Sequence, residues 1–170
     1  TFRAEARFLR ALSYWHGVDM YGPIPLVTEP SGTPPDQATR QQVFDFIVSE
    51  LNAIIPDLPA AAGQATYARA TQEAAHMLLA HVYLNGEVYT GTGYYTEAAN
   101  EAAAVINSGK FSLNPVFQNN FTADNHLSPE IIFPLVSDGL YSRGYGGTTF
   151  LIHAACVGGT NPWSQDPATL

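Results

Sequence analysis

The side chains best suited to chemistry crowd the last third of the chain. Between Leu140 and Ser164 stand Tyr141, Arg143, Tyr145, Asn161 and Trp163, set among Gly144, Gly146 and Gly147. A sugar presents an apolar C–H face and a rim of hydroxyls, so it is held by flat rings with amide or guanidinium groups at their edge. Both kinds of group are present here, on a glycine-rich stretch that reads as loop, where binding residues tend to sit on a rigid scaffold. The same rings could instead fill gaps against neighbouring helices. Residue types alone leave both readings open.

Other chemistries find less support. His76 and His81 share a predicted helix but are five apart, off the one face that a zinc pair at three or four requires. His126 and His153 lie in predicted loops, and the His153 to Cys156 spacing carries no specific thiol-dyad signal, so Cys156 reads as a small buried thiol. A glycosidase needs two carboxylates facing each other across roughly 5 to 10 Å, and nothing pairs Asp124, Glu130 and Asp138. Asp124-Asn125 lacks the glycine and terminal glutamate of a calcium loop, and Gly144-Tyr145-Gly146-Gly147 follows no clear strand and opens no clear helix. No catalytic residue, metal site or cofactor is expected.

Composition narrows the partners. The 170 residues are 46% hydrophobic, enough for one ordinary core, and the formal charge is -8 with only seven Lys and Arg. Those cations form no dense run, which argues against a nucleic-acid binder. Cys156 is the only cysteine, so no internal disulfide exists. No run approaches the roughly 18 apolar residues of a membrane-crossing helix, and the start lacks a signal-peptide pattern. The chain reads as a piece of a longer protein.

The scaffold is predicted to be helical. Phe8, Ala11, Leu12, Trp15 and Val18 recur at helical spacing, with Arg3, Arg7 and Arg10 on another side. Trp15 therefore reads as a core residue, while Tyr21 at the helix exit fits either role. Gly22, Pro23 and Pro25 end that helix, and Ile24 to Val27 is extended. Thr28 to Ala38 is read as surface loop. Thr39 and Gln42 form a capping box for a second helix carrying Phe44, Ile47, Val48, Leu51, Ile54 and Ile55 and stopped at Pro56. After a loop over Ala60 to Ala70, Thr71 caps a third helix with Ala75, Leu78, Leu79 and Val82 buried, ending at a left-handed Asn85-Gly86. Tyr89 to Gly93 is read as a short loop. A fourth helix buries Tyr95, Ala98, Ala99, Ala102, Val105 and Ile106 and stops at Gly109. Phe111 to Leu113 and Ile131 to Val136 are expected as short strands, the second confined to a sheet edge by Pro134.

Alanines where helices approach and tyrosines where the gap needs filling make the third and fourth helices a tetratricopeptide-type unit, and the first pair could be another. The expected fold is mainly α: tetratricopeptide-like helical repeats, an α-α superhelix, with a loop-rich region carrying short strands. One domain is expected over 1–170, with helix pairs in 1–109 and a ligand-binding region in 110–170 that covers the open apolar faces.

The wording AEARFLRALSYWHGVDMYGPIPLV from Ala4 to Val27, then TYARATQEAAHMLLAHVYL, YYTEAANEAAAVINSGKFSL and SPEIIFPLVSDG, resembles the SusD/RagB family of glycan-binding outer-membrane lipoproteins over most of Phe2 to Gly139. The resemblance implies non-catalytic binding of oligosaccharides at the bacterial cell surface and delivery to a TonB-dependent, SusC-like transporter. It also implies outer-membrane attachment through a lipid anchor that this chain does not contain. In the family, the stretch after the Glu-Ile-Ile-Phe segment supplies aromatics to the glycan site, which carries over to Tyr145 and Trp163. The rivals are a helical-repeat interaction scaffold with no small-molecule site and, in last place, a glycan hydrolase.

Overall fold

Helix α1 forms over Phe2–Tyr21, because its apolar residues share one face: Ala4, Phe8, Ala11 and Val18 are buried, with Leu12 and Trp15 partly buried against them. The computed structural model describes residues 1–29, 32–122 and 124–136. Gly22 ends α1 at φ 77, a left-handed conformation, and its amide donates to the Val18 carbonyl at 3.0 Å. Strand β1, Ile24–Pro25, then pairs antiparallel with β2, Gln37–Ala38. The loop predicted up to Ala38 thus closes as a two-residue ladder. Side chains decide this: Gln37 Nε2 donates to the Pro23 carbonyl at 2.7 Å, and the Tyr14 hydroxyl accepts from the Val27 amide and donates to its carbonyl.

The predicted capping box starts helix α2, Arg40–Ile54: the Thr39 hydroxyl accepts from the Gln42 amide at 3.2 Å and Gln42 Oε1 accepts from the Thr39 amide at 2.8 Å. Val43, Phe44, Ile47, Leu51 and Ile54 are buried where α2 packs on α1. Beside that seam Glu50 accepts from Arg7 Nε at 3.0 Å, Arg7 Nη2 at 2.7 Å and Arg10 Nη2 at 2.5 Å.

Helix α3, Gln72–Leu84, is capped by Thr71 and buries the predicted Ala75, Leu78, Leu79 and Val82. Its end differs from expectation. Asn85 is not left-handed (φ -91), and Gly86 opens a short helix α4, Gly86–Thr90, so Tyr89 is a buried helical residue and not part of a loop. Close approach explains the glycine: a Cβ on Gly86 would lie 2.5 Å from Tyr94 Cδ2. The Tyr89 hydroxyl donates to Asp19 at 2.6 Å, and burial together with that carboxylate raises its pKa.

Helix α5, Tyr95–Ser108, packs antiparallel-fashion along α3, buries Ala98 and Val105, and ends at left-handed Gly109 as predicted. Tyr95 and Ile106 are 58% and 75% exposed, against expectation. Ala99, also expected to be buried, is exposed too: the buried seam runs through Ala98 and Val105, and Tyr95, Ala99 and Ile106 form the stripe beside it that faces outward, where Tyr95 donates its hydroxyl to Glu87. His76 Nδ1 and Glu101 Oε2, 2.6 Å apart, tie the two helices. The architecture is mainly α, two tetratricopeptide-like pairs, α1 with α2 and α3 with α5.

Past Lys110 the described residues hold 3-10 turns at Phe117–Phe121 and Asn125–Leu127 and none of the predicted strands. Side chains bond the backbone beside the predicted strands. Asn114 accepts from the Val116 amide, Glu130 accepts from the Asn114 amide, and only Ser112 N–H to the Pro129 carbonyl, 3.2 Å, joins the two stretches through backbone. Ile132 and Phe133 pack on the core, with the Phe133 ring edge-on to Phe8 at 5.0 Å. Chain contacts divide the protein into one unit, Thr1–Pro134, and a second from Leu135. Among the described residues no helix is long and apolar enough to cross a membrane.

Candidate functional site

Within the first unit, α1, α3 and the Ile132-Phe133 stretch frame an open cleft of about 330 Å³, lined by Phe8, Leu12, Trp15, Met77, His81 and Phe133 among others. Trp15 is placed there by its register on α1. Its ring packs on the core from one side and meets His16 at 4.7 Å and His81 at 5.6 Å, both tilted. The indole N–H is buried and faces the Tyr89 hydroxyl without reaching ideal hydrogen-bond geometry. The residue predicted to be core is therefore both packed and part of a cleft wall. The His81 ring serves as an aromatic partner to Trp15, while His76 is engaged by Glu101.

Glu130 lines the same cleft. Its Oε2 accepts from the Asn114 amide at 3.1 Å and from Asn120 Nδ2 at 2.8 Å, and these two donors, the backbone one first, hold the carboxyl below the usual carboxylate range. Ser128 donates to Asn120 Oδ1 at 2.5 Å, which fixes the amide's orientation. The cleft thus offers rings and apolar side chains with an ionised acceptor beside them. That combination suits a ligand with C–H faces and hydroxyl groups. Among the described residues no group of three His, Cys, Asp or Glu is arranged to hold a metal ion.

Sequence reasoning singled out neither His81 nor Glu130 for this role. The only local sign is the i, i+4 phasing that aligns His81 with Met77 on α3; the approach of that face to Trp15 is tertiary. Tyr141, Arg143, Tyr145, Asn161 and Trp163 lie outside the described residues, as do Asp138, His153 and Cys156.

A family model described as "Starch-binding associating with outer membrane", of the SusD-like group, matches residues 1–84. The chain is 38% identical to the starch-binding protein SusD of Bacteroides thetaiotaomicron over 95% of its own length and 31% of that protein. It belongs to the SusD-like family. A SusD-like protein of Bacteroides ovatus is 28% identical, again over 95% of this chain and 31% of the relative. The SusD-like chain thus spans 31% of the length of each of these curated relatives. A solved laminarin-binding SusD-like protein superposes with a TM-score of 0.70 at 27% identity, covering 78% of this chain and 30% of that one. The surface glycan-binding protein A of Bacteroides fluxus gives 0.63 at 30% identity, covering 76% and 28%.

Proposed function

We propose that this SusD-like chain belongs to a non-catalytic oligosaccharide-binding protein on the outer face of the outer membrane, lipid-anchored in its full-length form, which passes its ligand to a TonB-dependent, SusC-like transporter. The observation that carries the reading is the match across 95% of the chain to a starch-binding protein. The laminarin-binding and surface glycan-binding relatives support it from the side of the fold. The helix pairs form the rack and the transporter-facing surface, and Trp163, Tyr145, Tyr141, Asn161 and Arg143 form the glycan platform. Holding without hydrolysis needs stacked rings and polar edges only, whereas turnover needs a facing carboxylate pair.

Each ring contact contributes about 0.5 to 1.5 kcal/mol beyond burial, about 1.5 to 4.5 for the three rings, and the burial of their faces brings the total to roughly -4 to -8 kcal/mol, a millimolar to micromolar Kd. Such weak holding fits a relay. Calorimetry on the full chain with maltooligosaccharides and laminarioligosaccharides tests this. Binding in that range without product formation is expected, with Trp163→Ala weakening it about two- to tenfold. Unchanged binding by Trp163→Ala removes that ring from the platform, and no binding to either series removes the glycan assignment.

A further inference from the structure

Three of the seven cations in this chain, Arg3, Arg7 and Arg10, stand at i, i+4 and i+7 on α1 and so share one of its faces. With Ala6 and Glu50 they line an open hollow of about 570 Å³, several times the roughly 150 Å³ of a cavity that holds benzene. Glu50 is the only acid in that lining. Its two oxygens are met by Nε and Nη2 of Arg7 at 3.0 and 2.7 Å and by Nη2 of Arg10 at 2.5 Å. The Arg10 guanidinium also lies over the Phe46 ring, 5.3 Å from its centroid. Both guanidinium groups are thus held in place before any ligand arrives, and neither spends all of its donors in being held.

The donors left over define the ligand. Nη1 of Arg7 and Nη1 of Arg10 have no hydrogen-bond acceptor and, unlike Arg10 Nε, both are open to solvent. Arg3, exposed and one turn earlier, makes no hydrogen bond or ion pair among the described residues. The Arg7 fork already has its flat, two-oxygen partner in Glu50. What remains is N–H groups from separate side chains, which suit a tetrahedral group with three terminal oxygens. Charge points the same way. Three guanidinium groups share one lining carboxylate, a surplus of two positive charges, which Asp57 lowers by acting on Arg7 from outside the lining. That surplus stands in a chain whose formal charge is -8. A phosphate monoester carries about 1.5 to 2 negative charges at pH 7, a sulfate monoester or a carboxylate about one.

We infer that this hollow takes a phosphate monoester borne by a sugar, its terminal oxygens bonded by Nη1 of Arg7, Nη1 of Arg10 and the Arg3 guanidinium. The inference rests on the oligosaccharide-binding reading above and adds a phosphorylated class of ligand, held by residues other than those of the predicted aromatic platform. A single exposed ion pair shifts affinity by up to about fivefold, so the site draws on the three arginines together and its hold is weak.

The test is protein-observed NMR titration of the full chain at constant ionic strength, which keeps screening equal between ligands. The Nε–H signals of Arg3, Arg7 and Arg10 are followed with glucose 6-phosphate, glucose 6-sulfate, glucose, acetate and phosphatidic acid vesicles. Saturable shifts are expected with glucose 6-phosphate, several-fold weaker binding with the sulfate and with acetate, and none with glucose. Arg3→Gln, a change at an exposed position outside the Glu50 contacts, should weaken glucose 6-phosphate about three- to fivefold while the rest of the spectrum stays that of the folded protein. Affinity unchanged by Arg3→Gln overturns the three-arginine site. Sulfate or acetate bound as tightly as the phosphate overturns the charge match, and shifts with the vesicles but not with glucose 6-phosphate overturn the sugar as carrier. Absence of any phosphate shift overturns the inference outright, while neutral oligosaccharides bound in calorimetry leave the broader reading standing.

Discussion

Replacing Glu50 by glutamine tests how α1 is joined to α2. The Glu50 side chain is 11% exposed and takes three N–H donors from Arg7 and Arg10, whose side chains are 29% and 33% exposed. Removing one partner of a fully buried ion pair costs about 3 to 5 kcal/mol, while an exposed pair is worth less than about 1. The half-open arginines place this clamp between those limits, at about 2 kcal/mol, because Glu50→Gln leaves two guanidinium groups facing each other with only Asp57 acting on Arg7 as a counter-charge. With a urea m-value of about 2 kcal/mol per molar, the midpoint should fall by about 1 M at neutral pH. The pH dependence follows from the same contacts. The hydrogen bonds from Arg7, then those from Arg10, hold the Glu50 pKa below its ordinary value against the opposing effect of burial. The unfolded chain therefore takes up the proton first as pH falls below about 5, so the contribution is complete above the unfolded pKa of about 4.3 and is lost as pH falls through the lower folded one. The gap between Glu50→Gln and the parent should narrow over that window. A midpoint change below about 0.2 M, or a gap independent of pH, refutes the clamp.

Two further substitutions probe the scaffold. Leu79→Ala empties a position with 0% exposure and should cost about 2 to 5 kcal/mol, lowering Tm in calorimetry by several degrees, whereas Leu84→Ala, at 56% exposure, should change stability by no more than about 0.5 kcal/mol; equal effects would mean that the α3 stripe is misassigned. Gly86→Ala gives opposite signs for two physical effects: intrinsic helix propensity favours alanine by about 1 kcal/mol, but its Cβ would meet the Tyr94 ring, so a net loss of about 1 to 3 kcal/mol is expected, and a rise in Tm would show that Tyr94 yields.

The parts of the chain that obeyed the sequence reading are those whose causes are local. The Thr39 to Gln42 capping box, the Thr71 cap and the stops at Gly22 and Gly109 follow from groups within four residues of each other, and all are present. The buried faces of α1, α2 and α3 follow from the 3.6-residue period. Composition already limited the anion-binding power of a chain with seven cations.

Tertiary structure decided what depends on which helix lies beside which. Tyr95, Ala99 and Ile106 have the right spacing for burial, yet the face that meets the rest of the protein is the neighbouring one, through Ala98 and Val105. Gly86 is set by the Tyr94 ring and not by its own backbone freedom. The predicted strands past Lys110 are not formed, and Asn114, Ser128 and Glu130 bond the backbone beside them from side chains. The Trp15 to His81 contact, the Gln64 to His126 tie and the Glu50 clamp join residues 66, 62 and 40 to 43 apart. Periodicity and capping are properties of neighbouring residues, whereas a cleft or a hollow is a property of surfaces that meet only when the chain has closed on itself.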